Sequence, residues 1–135
     1  MSDEEQEELQ FVEEVCTKAK KEGKLVGTDI VRLYQKFDQR FIRALTAVRE
    51  NRVRLHLFKP SGRKLWTVKG EHGEYLILPK AVFCSCGDFY FQIQKKMIVH
   101  LCYHLIAQKI ATAFGIYETI EYSDEEHAIV LSKYS

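Results

Sequence analysis

The chain has 135 residues, 46% hydrophobic and 29% charged, with a formal net charge of +1, a composition that fits one globular domain and excludes a disordered or fibrous chain. No apolar run approaches the ~18 residues of a bilayer span, and the acidic start MSDEEQEEL is unlike a secretory leader. The reading is therefore of an intracellular chain with no membrane partner, whose four cysteines point to metal rather than disulfides.

The charge is unevenly spread. Residues 1–17 carry seven acidic and no basic side chains, residues 18–69 fifteen basic and four acidic, and residues 70–135 five basic and eight acidic. The middle segment is thus a candidate for an anionic partner. The plain alternative is a solvated surface, partly neutralised by the acidic N-terminus folding back.

In chain order, residues 3–22 predict a helix with Leu9, Val12, Val15, Cys16 and Ala19 near one face, ended by Gly23. Thr28 or Asp29 can cap a second helix, whose stripe is Ile30, Leu33, Tyr34, Phe37, Phe41, Ala44, Leu45 and Val48, with Arg32, Lys36 and Arg43 opposite. VRLHLF (53–58) alternates as a strand, Val53, Leu55 and Leu57 on one side and Arg54 and His56 on the other. PSG turns the chain into RKLWTVKG (63–70), EHG turns it again into EYLILP (74–79), and AVFCSC (81–86) is a fourth short strand. Connections this short favour an antiparallel meander. HLIAQKIATAF then predicts a helix ended by Gly115, and SDEE (123–126) a capping box, Ser123 with Glu126, opening a last short helix. The class is α+β: N-terminal helices (1–50), a small antiparallel β-meander with the cysteine-rich stretch (51–114), and a C-terminal short helix and tail (115–135), within one compact domain.

CSCGDFYFQIQKKMIVHLCYH (84–104) holds three of the four cysteines, with a pair of candidate ligands at each end. Zinc takes four such ligands in a tetrahedron, so two bound sulfurs stand about 3.8 Å apart, whereas i and i+2 side chains on a flat strand are ~6.5 Å apart. Cys84-Ser85-Cys86 must therefore bend, with Gly87 placed to end the bend. Cys102 must sit at or before the first turn of the following helix, with His104 within it. His100 competes with His104 for the fourth position, although it lies outside the mirror of the two pairs. Inert buried thiols with a core histidine are the plain alternative. Cys16 is expected in the core.

Three thiolates and an imidazole leave no open position for water, and with a +2 ion the charge is about −1, so the metal is expected to be structural. Asp88, the one acid in the loop, reads as a turn or cap residue, and the site would offset charge from Lys95 and Lys96. No phosphate loop or nucleophile elbow accompanies it, and an enzyme is not expected. His56, His72 and His127 read as isolated, exposed or capping. Phe89, Tyr90, Phe91 and Tyr103 read as packing around the metal rather than as a stacking surface for bases.

Cys84, Cys86, Cys102 and His104 resemble the C-x-C, insert, C-x-H pattern of SWIM-type zinc fingers. Ala107, three residues on, matches an extension seen in the Shu-complex branch, where a small residue suits close helix packing. PSGRKLWTVKG followed by a strand and CSC is also similar to small SWIM-domain proteins of homologous recombination, a likeness covering about residues 52–113. Gly87 stands where proline is common, and Tyr103 replaces a frequent lysine, which weakens a phosphate contact on that face. The resemblance implies one structural Zn2+ on those four residues and a non-catalytic partner of a RecA/RadA-family recombinase paralog. Such a pair assists recombinase filaments on single-stranded DNA, with DNA reached through the complex. The location implied is the nucleus in a eukaryote and the cytoplasm in an archaeon. The alternative is an autonomous nucleic-acid-binding regulator using segment 18–69.

Overall fold

The computed structural model describes residues 3–81, 83–86 and 101–134. Gly87, Asp88, Phe89, Tyr90, Phe91, Lys95, Lys96 and His100, all named above, lie outside the described residues.

Helix α1 (Asp3–Glu22) ends where Gly23 takes a φ of 77°, a left-handed turn that glycine adopts without steric cost. It buries Val12, Val15 and Ala19, with Leu9 and Cys16 half-buried beside them. The single helix expected after Thr28 is instead two: α2 (Gly27–Phe37) and α3 (Gln39–Arg49), separated by Asp38 at φ 51°. Aspartate tolerates positive φ better than most residues, and its N–H still closes on the Tyr34 carbonyl at 2.7 Å. The break keeps Leu33, Phe37, Phe41, Ala44 and Val48 in the core but leaves Ile30 and Tyr34 exposed. Neither Thr28 nor Asp29 caps α2: Val26 holds the N-cap position, and Asp29 lies inside the first turn, buried, with Lys18 and Arg32 each at 3.2 Å.

Strands β1 (Val53–Lys59), β2 (Arg63–Lys69), β3 (Glu74–Leu78) and β4 (Phe83–Cys84) form the expected antiparallel meander. A 3-10 turn at Pro79–Ala81 separates β3 from β4. After α4 (Tyr103–Phe114), closed by Gly115 at φ 67°, comes a strand that was not expected. This β5 (Glu118–Ser123) pairs in parallel with β1, so among the described residues the sheet is mixed and ordered β4-β3-β2-β1-β5. Its mostly exposed, polar alternation marks an edge strand. The Glu126 carboxylate then accepts the Ser123 N–H at 3.2 Å, as the capping box requires, before α5 (His127–Tyr134).

Helices cover both faces of the sheet. Val53, Val68, Ile77 and Cys84 pack with α1–α4 on one side, while Phe58, Leu65 and Leu76 meet Val130 of α5 on the other. The reading of His56 as isolated and exposed, on an outward row of β1, is thereby corrected: it is 0% exposed beneath α5. Its Nε2 lies 2.8 Å from the Thr67 hydroxyl, its Nδ1 3.1 Å from Tyr122, and the Thr67 hydroxyl donates to Glu74. Buried polar atoms need partners, and this chain of side chains supplies them. No helix among the described residues is long and apolar enough to cross a membrane.

Candidate metal centre

Strand β4 delivers Cys84 opposite Ile77. Ser85 holds the next step: its N–H donates to the Leu76 carbonyl at 3.0 Å, and its hydroxyl accepts the Leu76 N–H at 2.9 Å. With Ser85 tied to β3 on both sides, Cys86 leaves the strand direction at a bend. Cys102 occupies the N-cap of α4 with extended backbone (φ −75°, ψ 165°), and His104 is the second helical residue. The predicted solution for the C-x-H pair is the one observed.

The ligating atoms of Cys84, Cys86, Cys102 and His104 all lie within 4.8 Å of one another, and all four residues are buried. Both imidazole nitrogens of His104 are buried without a hydrogen-bond partner, a costly state for a polar ring unless something coordinates it. Contact with the Cys102 and Cys86 sulfurs, then burial, drives the Cys84 thiol far above the ordinary thiol range. Cys102 is drawn down by Cys84 but raised by Cys86 and by burial, and is pushed up to about 12. Cys84 and Cys102 therefore resist ionisation by themselves, and a divalent cation reverses the balance by binding the thiolates. Orphaned imidazole and converging sulfurs fit one structural zinc ion.

Two features hold the cluster that the local sequence did not announce. Glu8, on α1, accepts the Leu101 N–H at 2.9 Å and both guanidinium arms of Arg40 at 2.8 and 3.1 Å, while Arg40 donates to the Leu101 carbonyl at 2.6 Å. The residue before Cys102 is thus fixed on both sides of its peptide. Gly70, after β2, packs so closely that a Cβ there would lie 2.8 Å from the Tyr75 ring and 3.0 Å from His104 Nε2. Spacing could not reveal Glu8 with Arg40, which are far apart in the chain. Gly70 closes the upstream stretch that shares the family likeness, and that was its only signal.

Other named residues fall elsewhere. Cys16 is half-buried on α1, its thiol pushed up to about 11 chiefly by burial, and it is not part of the cluster. Ala107 is fully buried in the same core as the cysteines. Tyr103 is 8% exposed against that core, as packing around the metal requires.

No family model matches the chain, and no solved structure matches it. Three curated relatives do, each a "Zinc finger SWIM domain-containing protein 7". The chain is 32% identical to the Mus musculus protein over 91 residues, covering 67% of this chain and 59% of the relative. It is 31% identical to that of Danio rerio over 75 residues (55% and 54%) and 30% identical to that of Homo sapiens over 73 (53% and 52%). The chain spans about half the length of the curated relatives it matches. Likeness to these proteins, together with four buried donors fit for zinc, supports a SWIM-type zinc-finger protein.

Proposed function

We propose that the chain is a non-catalytic, zinc-stiffened adaptor in homologous-recombination repair, ligating one Zn2+ through Cys84, Cys86, Cys102 and His104. In this reading it pairs with a RecA/RadA-type recombinase paralog of the Shu-complex kind and assists filaments on single-stranded DNA. The observation that carries it is the closed character of the cluster: four converging donors, every one buried, suit a metal that holds β4 to α4 and not one that presents a reacting water. The choice of partner is what the resemblance of the C-x-C…C-x-H pattern to small SWIM-domain recombination proteins implies. A docking partner also needs apolar area to cover, and α2 and α3 offer Ile30, Val31, Tyr34 and Ile42, each between 41 and 55% exposed. The same reading puts the protein in the nucleus of a eukaryote or the cytoplasm of an archaeon.

Co-expression with a RecA-type paralog from the same source tests it. A stable co-purifying pair, lost on Val31→Glu with zinc content unchanged, is the expected result. A paralog that never associates with zinc-loaded protein removes the proposal.

A further inference from the structure

Between α1, α4 and the sheet runs a groove of about 970 Å³. Lysines reach it from four separate elements: Lys20 from α1, Lys64 from β2, Lys80 from the turn after β3, and Lys109 from α4. Lys109 meets Glu13 at 3.4 Å. Among the described residues, the other three ammonium groups make no ion pair. Clustered cations repel one another, and a concave wall concentrates their field, which favours an anion in the groove.

Charge alone does not choose among anions; the rest of the lining does. Trp66, the chain's single tryptophan, is half-buried in the groove, its indole held edge-on by Tyr117 at 4.9 Å and 81°. Gln108 lies in the floor, 3% exposed, its Nε2 donating to Thr112 and its Oε1 buried without a donor. Cations, a fixed aromatic face and a spare carbonyl acceptor match the three parts of one nucleotide: phosphate, base face and exocyclic amine. An acidic peptide supplies the first and a backbone N–H, but no obligatory flat ring. A base within a duplex has its face stacked and its amine paired.

We propose that this groove binds single-stranded nucleic acid, with phosphates along Lys20, Lys64, Lys80 and Lys109 and a base against Trp66. The inference rests on the functional reading above for the origin of the strand, but not for the recombinase pairing. It places strand contact on this chain itself.

The test uses the zinc-loaded 135-residue chain and a fluorescein-labelled twenty-nucleotide oligo(dA), read by anisotropy and, with unlabelled strand, by tryptophan emission. Saturable binding should quench Trp66 in step with the anisotropy rise. Lys64→Gln and Lys80→Gln, both on exposed side chains, should each flatten the log–log salt dependence by about 0.7. Trp66→Leu should weaken binding about tenfold. Because Trp66 also packs in the core, the lysine variants carry the test if that protein misfolds. Anisotropy that rises with no quenching, or equal affinity for duplex, polyglutamate or free dAMP, would overturn the site. Absence of binding overturns it while leaving a co-purifying recombinase pair intact; loss of the pair with groove binding retained would instead reject the adaptor reading.

Discussion

Arg40 and Glu8, thirty-two positions apart, close a two-armed ion pair over the peptide of Leu101. Glu8 is only 7% exposed at its side chain, so the carboxylate meets Arg40 largely out of water. The pair therefore links helix packing to the placement of Cys102, one residue on.

Removing Arg40 takes two charge-assisted hydrogen bonds from the buried Glu8 carboxylate, a loss of about 2–3 kcal/mol. Arg40→Ala should lower the urea midpoint and release zinc to a chelator roughly tenfold faster. In Glu8→Gln/Arg40→Ala the two losses should overlap and not add, because both singles break the same contact. Full additivity in zinc release would show that the pair does not act through Leu101.

The link also changes what metal loss should do. From the sequence, chelation or Cys102→Ala or His104→Ala is expected to unravel the chain after about residue 80, since structural zinc sites hold ~10 kcal/mol or more in small peptides. In the fold, Cys84, Cys86 and Cys102 belong to the same core as Val12 and Val15, and Glu8 ties α1 to Leu101. Amide exchange on chelated protein should therefore lose protection in α1 as well as α4, while the β1–β2 pair keeps it. An α1 that stays protected would refute the coupling.

Gly70 gives a sharper probe because it touches the cluster without ligating. Gly70→Ala places a methyl 2.8 Å from the Tyr75 ring and 3.0 Å from His104 Nε2, so the imidazole or the tyrosine must move. Zinc affinity, measured by chelator competition, should fall about tenfold, the scale on which residues supporting a ligand act. Gly73→Ala is the control: its methyl meets only Tyr75, at 3.8 Å, an ordinary contact. Equal effects from the two substitutions would deny Gly70 a role in positioning His104.

The four donors were legible in the sequence because their chemistry is local: two short pairs, each needing one bend, on elements whose periodicity was plain. The meander was legible for the same reason, its turns being only a few residues long. What escaped depends on distant partners. β5 is polar on most of its length and pairs with β1 across sixty residues of chain, so nothing near it announces a parallel edge. His56 reads as outward because a lone strand cannot say what covers its second face, and α5 covers it from the far end of the chain. Asp38 interrupts a stripe that is continuous in pattern, since its positive φ leaves no trace in hydrophobic spacing.

His56 should also make stability depend on pH, with a definite sign. Burial lowers its pKa from the ordinary 6.5, against an opposing pull from Glu74. The neutral ring is seated between Thr67 and Tyr122, with the Tyr134 ring of α5 5.2 Å away. Unfolded, the same side chain takes up a proton near 6.5, so below that pH the unfolded state binds more protons than the folded one. His56 thus contributes fully above about 6.5, and its contribution is lost as the pH falls through its lower folded value. Acid also frees zinc from thiolates, which would mimic the trend, so the comparison must be with His56→Gln, which leaves the cysteines untouched. Urea midpoints between pH 5 and 8 should fall more steeply toward acid for the parent than for the variant, with zinc content followed at each point. Parallel curves would mean that His56 does not titrate with folding. A parent that gains stability on acidification relative to the variant would mean that the imidazole is buried charged, paired with Glu74, and that the network beneath α5 is an ion pair and not a neutral relay of hydrogen bonds.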